Sequence, residues 1–169
     1  MARFTEKESG ETLMKYMFAA SVLFAGLAST QASAQDMQAQ LTLESAATIR
    51  DACLAHAAEN DMVIAIAVFD NRGMMVTYAA MDGIAAAIPD VAMWKGRSAA
   101  KYRYATSVTA DWGGDAPEIA VWEGGLPIFM ADGSPLGGVG VSGAASADDV
   151  ACIMAGVEAA GLVTELAAD

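Results

Sequence analysis

The chain has 169 residues, and 21 acidic against 9 basic side chains give it a net charge of −12 at neutral pH. A surface of that sign repels nucleic acid and anionic lipid, which sets both aside as partners. One histidine and two well-separated cysteines cannot build a four-ligand zinc centre, and no nucleophile motif accompanies the histidine for Ser-His-Asp or Cys-His catalysis.

Along the chain, Lys15 precedes an apolar run from Tyr16 to Leu27, and Ala32-Ser33-Ala34 places small residues before Gln35. This is the order of a secretory signal peptide, so residues 1–34 are expected to be removed, leaving a periplasmic or secreted protein. The apolar run is too short to span a bilayer comfortably, and no membrane association is expected after cleavage. Met14 is a more natural start for such a leader than Met1. Residues 35–169 hold 18 acidic and 6 basic side chains and are long enough for a single domain with its own core.

Thr42 suits the cap of a first helix from Leu43 to about Glu59, with Leu43, Ala46, Ala47, Cys53, Leu54 and Ala57 on its apolar side. The unbroken apolar run Met62–Phe69 predicts a strand covered on both faces. Asp70 to Gly73 turns the chain, and Met74–Ala80 returns as a second strand. Pro89 and Asp90 open a middle helix running to about Thr106, followed by a loop marked by Gly113-Gly114 and Pro117. Ile128–Ala131 and Leu136–Val141 flank Asp132-Gly133, a strong hairpin signal. Gly137, Gly138, Gly140 and Gly143 remove side chains where another backbone or a ligand comes close, and close packing is the plainer reading. Ser146 is placed as the N-cap of a last helix, about Ala147 to Gly161, with Asp148 and Asp149 at the positive end of its dipole. Short turns join antiparallel neighbours, so the order predicts an α+β domain built on an antiparallel sheet. Met74, Met75 and Met93 read as gap-filling residues.

The segments EGGLPIFMADGSPLGGVGVSG (123–143), IAIAVFDNRG and YAAMDG, with the helix start Gln40-Leu41-Thr42, resemble the GlcG/HbpS/PduO C-terminal domain family, also called the haem-degrading domain family. The resemblance runs from about Leu41 to Gly161. It implies a profilin-like α/β/α sandwich with one antiparallel sheet and helices on both faces, assembly into a homo-oligomer, and haem or a related tetrapyrrole as ligand. The family packs its first and last helices on the same sheet, which would bring Cys53 and Cys152 together. Helical phase argues the other way, because Cys152 lies off the stripe of Val150, Ile153, Met154 and Val157, so the pairing stays open.

With haem as the implied ligand, three groups of residues become candidates. His56, at the edge of the first helix's apolar face, is a possible axial ligand, against the plainer reading of a half-buried surface histidine. On the middle helix Lys95, Arg97, Lys101 and Arg103, interleaved with Trp94, Tyr102 and Tyr104, hold four of the six cations after Ala34 and could receive a planar carboxylate ligand. Lys95 aligns with a lysine common in the family; the alternative is a solvated face paired with local acids. Backbone N–H groups near Gly124, Gly125 and Gly143 suit an anion, and Glu123 could act as a general acid or base or simply brace its turn. The sequence departs from the family at Asn71-Arg72-Gly73-Met74, where relatives often carry Gly-Gly-His, and at Ala80, where an arginine precedes Met-Asp-Gly. The leading expectation is an exported haem- or tetrapyrrole-binding accessory protein. Alternatives are an isomerase- or lyase-type enzyme on a carboxylate or carbonyl compound, with Glu123, Lys95 and Arg97 in its site, and a non-catalytic partner of an exported redox or sensor protein.

Overall fold

Helix α1, Leu43–Glu59, begins where expected: Thr42 is extended, and its Oγ1 accepts the Ser45 N–H at 3.0 Å. These elements belong to a computed structural model that describes residues 37–165; the expected leader, 1–34, lies outside the described residues. The first strand starts later than its apolar run. Met62 N–H is spent on Ala57 O at 2.9 Å and Asp61 takes a left-handed φ of 55°, so Met62 to Ile64 lead out of the helix and β1 is Ala65–Asp70. Every residue of β1 is buried, as its unbroken apolar character requires. Strand β2 is Met75–Ala80, and the turn between them is closed by Asp70, whose carboxylate accepts the N–H groups of Arg72 and Met74 at 2.9 Å each.

Helix α2, Ile88–Tyr102, stops four residues short of the expected Thr106. Arg103 adopts the left-handed conformation at φ 61° and its N–H returns to Ala99 O, a terminus made without the glycine that would announce it. A short helix α3, Thr106–Thr109, and a 3-10 turn, Ala110–Trp112, precede strand β3, Gly125–Phe129. Strand β3 begins earlier than the expected Ile128, and Pro127 is tolerated because β3 lies at an edge. Strand β4 is Pro135–Ser142, and helix α4 is Ser146–Ala159. Its N-cap is Ala145 with no side-chain bond, so Ser146 is the first helical residue and not the cap.

The four strands form one antiparallel sheet in the order β2-β1-β4-β3. Side chains alternate across it. Ile66, Val68, Val139 and Val141 join α1 and α4 in the main core, whereas Ala67 and Phe69 pack with Ala100 of α2 on the opposite face. This is the expected α+β sandwich. The glycines of β4 set its thickness: a Cβ on Gly140 would lie 2.2 Å from Ala92 O, and one on Gly138 would lie 2.3 Å from Ala100 N. Their role is to let α2 lie directly on the sheet. The first and last helices are joined by a Cys53–Cys152 disulfide, with Cα atoms 4.7 Å apart. The phase argument against it fails because α4 buries Asp149, Cys152, Ile153, Gly156 and Val157, while Met154 is 52% exposed. An aspartate and a glycine in the buried stripe disguise its true phase.

Candidate functional site

The residues singled out in the sequence separate into distinct environments. Of the four candidate cations Lys95 is the most deeply placed, 4% exposed on the sheet-facing side of α2. Its Nζ donates to Val141 O at 3.1 Å, Ser142 Oγ at 3.4 Å and Asp149 Oδ2 at 3.2 Å. Asp149 is 1% exposed, and its other oxygen accepts the Ala144 N–H at 3.2 Å. Burial pushes the Asp149 carboxyl above the usual carboxylate range, opposed by the Lys95 charge and the Ala144 N–H. This buried pair ties the middle of α2 to the end of β4 and the start of α4. Asp149, read from sequence as a dipole partner, is the lysine's counter-ion.

Gly124 and Gly125 belong to the same cluster. At Gly124, φ 113°, a Cβ would lie 2.7 Å from Lys95 Nζ; at Gly125 it would lie 2.7 Å from Lys95 O. The Gly125 N–H donates to Thr106 Oγ1 at 2.9 Å, so that amide already has an acceptor. Gly143 adjoins the cluster through its neighbours, since Ser142 Oγ accepts from Lys95 and the Ala144 N–H donates to Asp149, while its own Cα faces Val63 O and Ile64. Glu123 is exposed, and Arg97 turns toward Phe69 and Glu118, so Glu123, Lys95 and Arg97 do not converge. Arg97 and Lys101 both pair with Glu118, whose carboxyl is held below its ordinary range by the Lys101 hydrogen bond first and Arg97 second.

Tyr102 leads to a cavity of about 590 Å³ at the C-terminal end of α2 beside the β3 edge. Arg103, Tyr104, Val108, Leu126, Pro127 and Phe129 line it with Tyr102. The left-handed turn at Arg103 ends the helix here. Tyr102 is anchored by donating its hydroxyl to Pro117 O at 2.6 Å, and the rings of Tyr102 and Tyr104 both pack edge-on against Trp112. The side of the cavity formed by β3 was illegible in sequence, because Leu126, Pro127 and Phe129 meet the tyrosines only through the fold.

These donors fit a haem. The cavity combines apolar walls with a phenol, a ligand type haem iron accepts, and a guanidinium suited to a propionate. Both cysteine sulfurs are held in the disulfide and so are withdrawn as thiolate ligands. His56 is half-buried in the last turn of α1, over β1 and β2, on the sheet face opposite α2. The cavity lies at β3, on the far side of the sheet. His56 is not among the residues that line it.

Comparison with known proteins agrees with the fold and supplies a family. A search of curated proteins gives no match. Among solved structures, HbpS from Streptomyces reticuli, crystallised as a double mutant, is 28% identical with a TM-score of 0.69, covering 77% of this chain and 93% of its own. The structure of PduOC in complex with haem shares the fold at 18% identity and TM-score 0.69, covering 75% of this chain and 99% of that one. ORFY from Klebsiella pneumoniae shares it at 22% identity and TM-score 0.68, with 79% and 98% covered. The family described as "Haem degrading protein HbpS-like" matches residues 41–158, nearly all of the described domain. The chain therefore belongs to the HbpS-like family of haem-degrading proteins.

Proposed function

We propose that this protein binds haem or a related tetrapyrrole in the cavity at the end of α2, as an exported accessory protein. The observation that carries the reading is the cavity itself: about 590 Å³, within the range of small-ligand sites, with Tyr104 and Arg103 beside an apolar wall. Membership of the HbpS-like family supports haem as the occupant. Bound haem would supply its iron as the reactive centre. The chain's own part would be to hold it: Val108, Leu126, Pro127 and Phe129 would meet the macrocycle, Arg103 would pair with a propionate and the Tyr104 phenol would offer an oxygen to the iron.

Export is supported by the leader pattern in residues 1–34 and by the Cys53–Cys152 bridge, since such bridges persist in oxidising compartments. Self-association is part of the proposal. Among the described residues nothing pairs with the outer edge of strand β2, where Met75 and Tyr78 are exposed, and light scattering decides the subunit number. The functional test is a haemin titration followed by Soret absorbance in Tyr104→Phe, Arg103→Ala and His56→Ala. Tyr104→Phe is expected to shift the Soret band and Arg103→Ala to weaken binding about tenfold, the scale of one charge-assisted hydrogen bond. Saturable binding untouched by either change would remove the cavity as the site.

A further inference from the structure

The outer face of α2 holds two cations against one internal carboxylate. Arg97 and Lys101 are one helical turn apart; Arg97 Nη1 lies 3.4 Å from Glu118 Oε1, and Lys101 Nζ bonds Oε2. Glu118 is delivered by a segment pinned to the helix on both sides. Tyr102 donates to Pro117 O at 2.6 Å, Trp94 Nε1 donates to Ile119 O at 3.0 Å, and Ser98 Oγ accepts the Ala120 N–H at 2.8 Å. Between those pins Glu118 sits at φ 61°, a conformation that favours glycine. Its side chain is nevertheless 42% exposed, so the carboxylate can rotate into water with the backbone held in place.

Beside this pair opens a separate cavity of about 270 Å³, lined by Asp90, Met93, Trp94, Arg97 and Glu118. The Arg97 guanidinium lies 5.3 Å from the Phe69 ring centroid, yet its Nε is buried with no acceptor among the described residues. That nitrogen is closed to a ligand, so a carboxylate entering the cavity would meet Arg97 at the guanidinium edge that Glu118 now occupies. Trp94 and Met93 offer an apolar surface for a ring. Asp90 stands on the same cavity and disfavours a second negative group on the ligand.

We propose that this cavity binds a small aromatic monocarboxylate, and that Glu118 is an internal stand-in which the ligand displaces from Arg97 and Lys101. The volume is at the lower limit of small-molecule sites, right for one or two fused rings and too small for a macrocycle. The site shares no lining residue with the haem cavity. An exposed ion pair is weak, so exchanging one carboxylate for another is cheap, and the ring contacts decide which is held.

The test uses the whole protein and two probes, naphthoate and the neutral naphthamide, with N–H NMR spectra following the Trp94 indole; Trp94→Phe assigns its signal. Naphthoate is expected to give a saturable shift of that signal and naphthamide none. Glu118→Gln and Glu118→Gly are each expected to tighten naphthoate binding about two- to fivefold, the equivalent of losing an exposed competing ion pair. Glycine is suited to φ 61°, so that variant keeps the backbone even if glutamine disturbs it. Arg97→Ala is expected to abolish the shift. Equal binding of both probes, no saturation, or an affinity unchanged in both Glu118 variants would overturn the proposal.

Discussion

Replacing Lys95 by methionine tests the buried ion pair, because methionine keeps the length of the side chain and removes the charge. The Nζ has three acceptors, and its loss strands Asp149, 1% exposed, with the Ala144 N–H as its remaining partner. Breaking a buried pair from one side costs about 3–5 kcal/mol. For a domain of this size that is a fall in Tm of roughly 10–20 °C. The pH dependence has a definite sign. Asp149 already has a raised carboxyl pKa from burial, and Lys95 is the leading influence holding it down. Without Lys95 it rises further, so the native state keeps a proton that the unfolded state releases. That stabilisation is complete below the unfolded carboxylate pKa and is lost as pH rises through the folded one. Urea unfolding of Lys95→Met is therefore expected to show a larger deficit at neutral pH than at pH about 4. The Lys95→Met, Asp149→Leu double variant should recover most of the loss. A single variant that loses less than about 1 kcal/mol, or loses more in acid, would refute the buried pair as described.

Gly140→Ala would put a methyl group 2.2 Å from Ala92 O, so α2 must lift from the sheet; urea unfolding should show a loss of about 1–3 kcal/mol, and an unchanged midpoint would contradict the contact. Cys53→Ser is expected to cost about 2–5 kcal/mol, and the unreduced wild-type chain should yield no free thiol to alkylation in denaturant. At Asp70, burial is the largest single influence and raises the carboxyl, but the Met74 and Arg72 N–H groups and the Arg72 side chain together bring it below its ordinary value. Its contribution is present above the unfolded carboxylate pKa and lost as pH falls through the folded one. Asp70→Asn should accordingly cost about 1–3 kcal/mol at neutral pH, a difference that narrows in acid.

The sequence was most legible where local chemistry and tertiary packing point the same way. Thr42 caps α1 as its type suggests, the apolar run of β1 is buried on both faces, and Asp132-Gly133 turns the second hairpin. It misled where the fold overrides local preference. Arg103 ends α2 in a conformation expected of glycine, and Asp149 and Gly156 occupy core positions of α4, which hid the cysteine pairing. Of the candidate site, the basic aromatic helix was visible as a composition, but its division was not. Lys95 faces inward because Gly124 leaves room for its ammonium group, Arg97 and Lys101 face outward onto Glu118, and Tyr102 turns toward β3. No local signal marks Glu118, since its place depends on three hydrogen bonds between distant residues.

Stoichiometric titration of the wild-type protein with haemin, followed by Soret absorbance, tests the haem-binding reading most directly. A response that saturates at about one haem per cavity, and is lost when Phe129→Asp charges the cavity wall, is the predicted result. A linear response without saturation, equal in wild type and Phe129→Asp, would mean that haemin only adheres to the surface and would contradict the account.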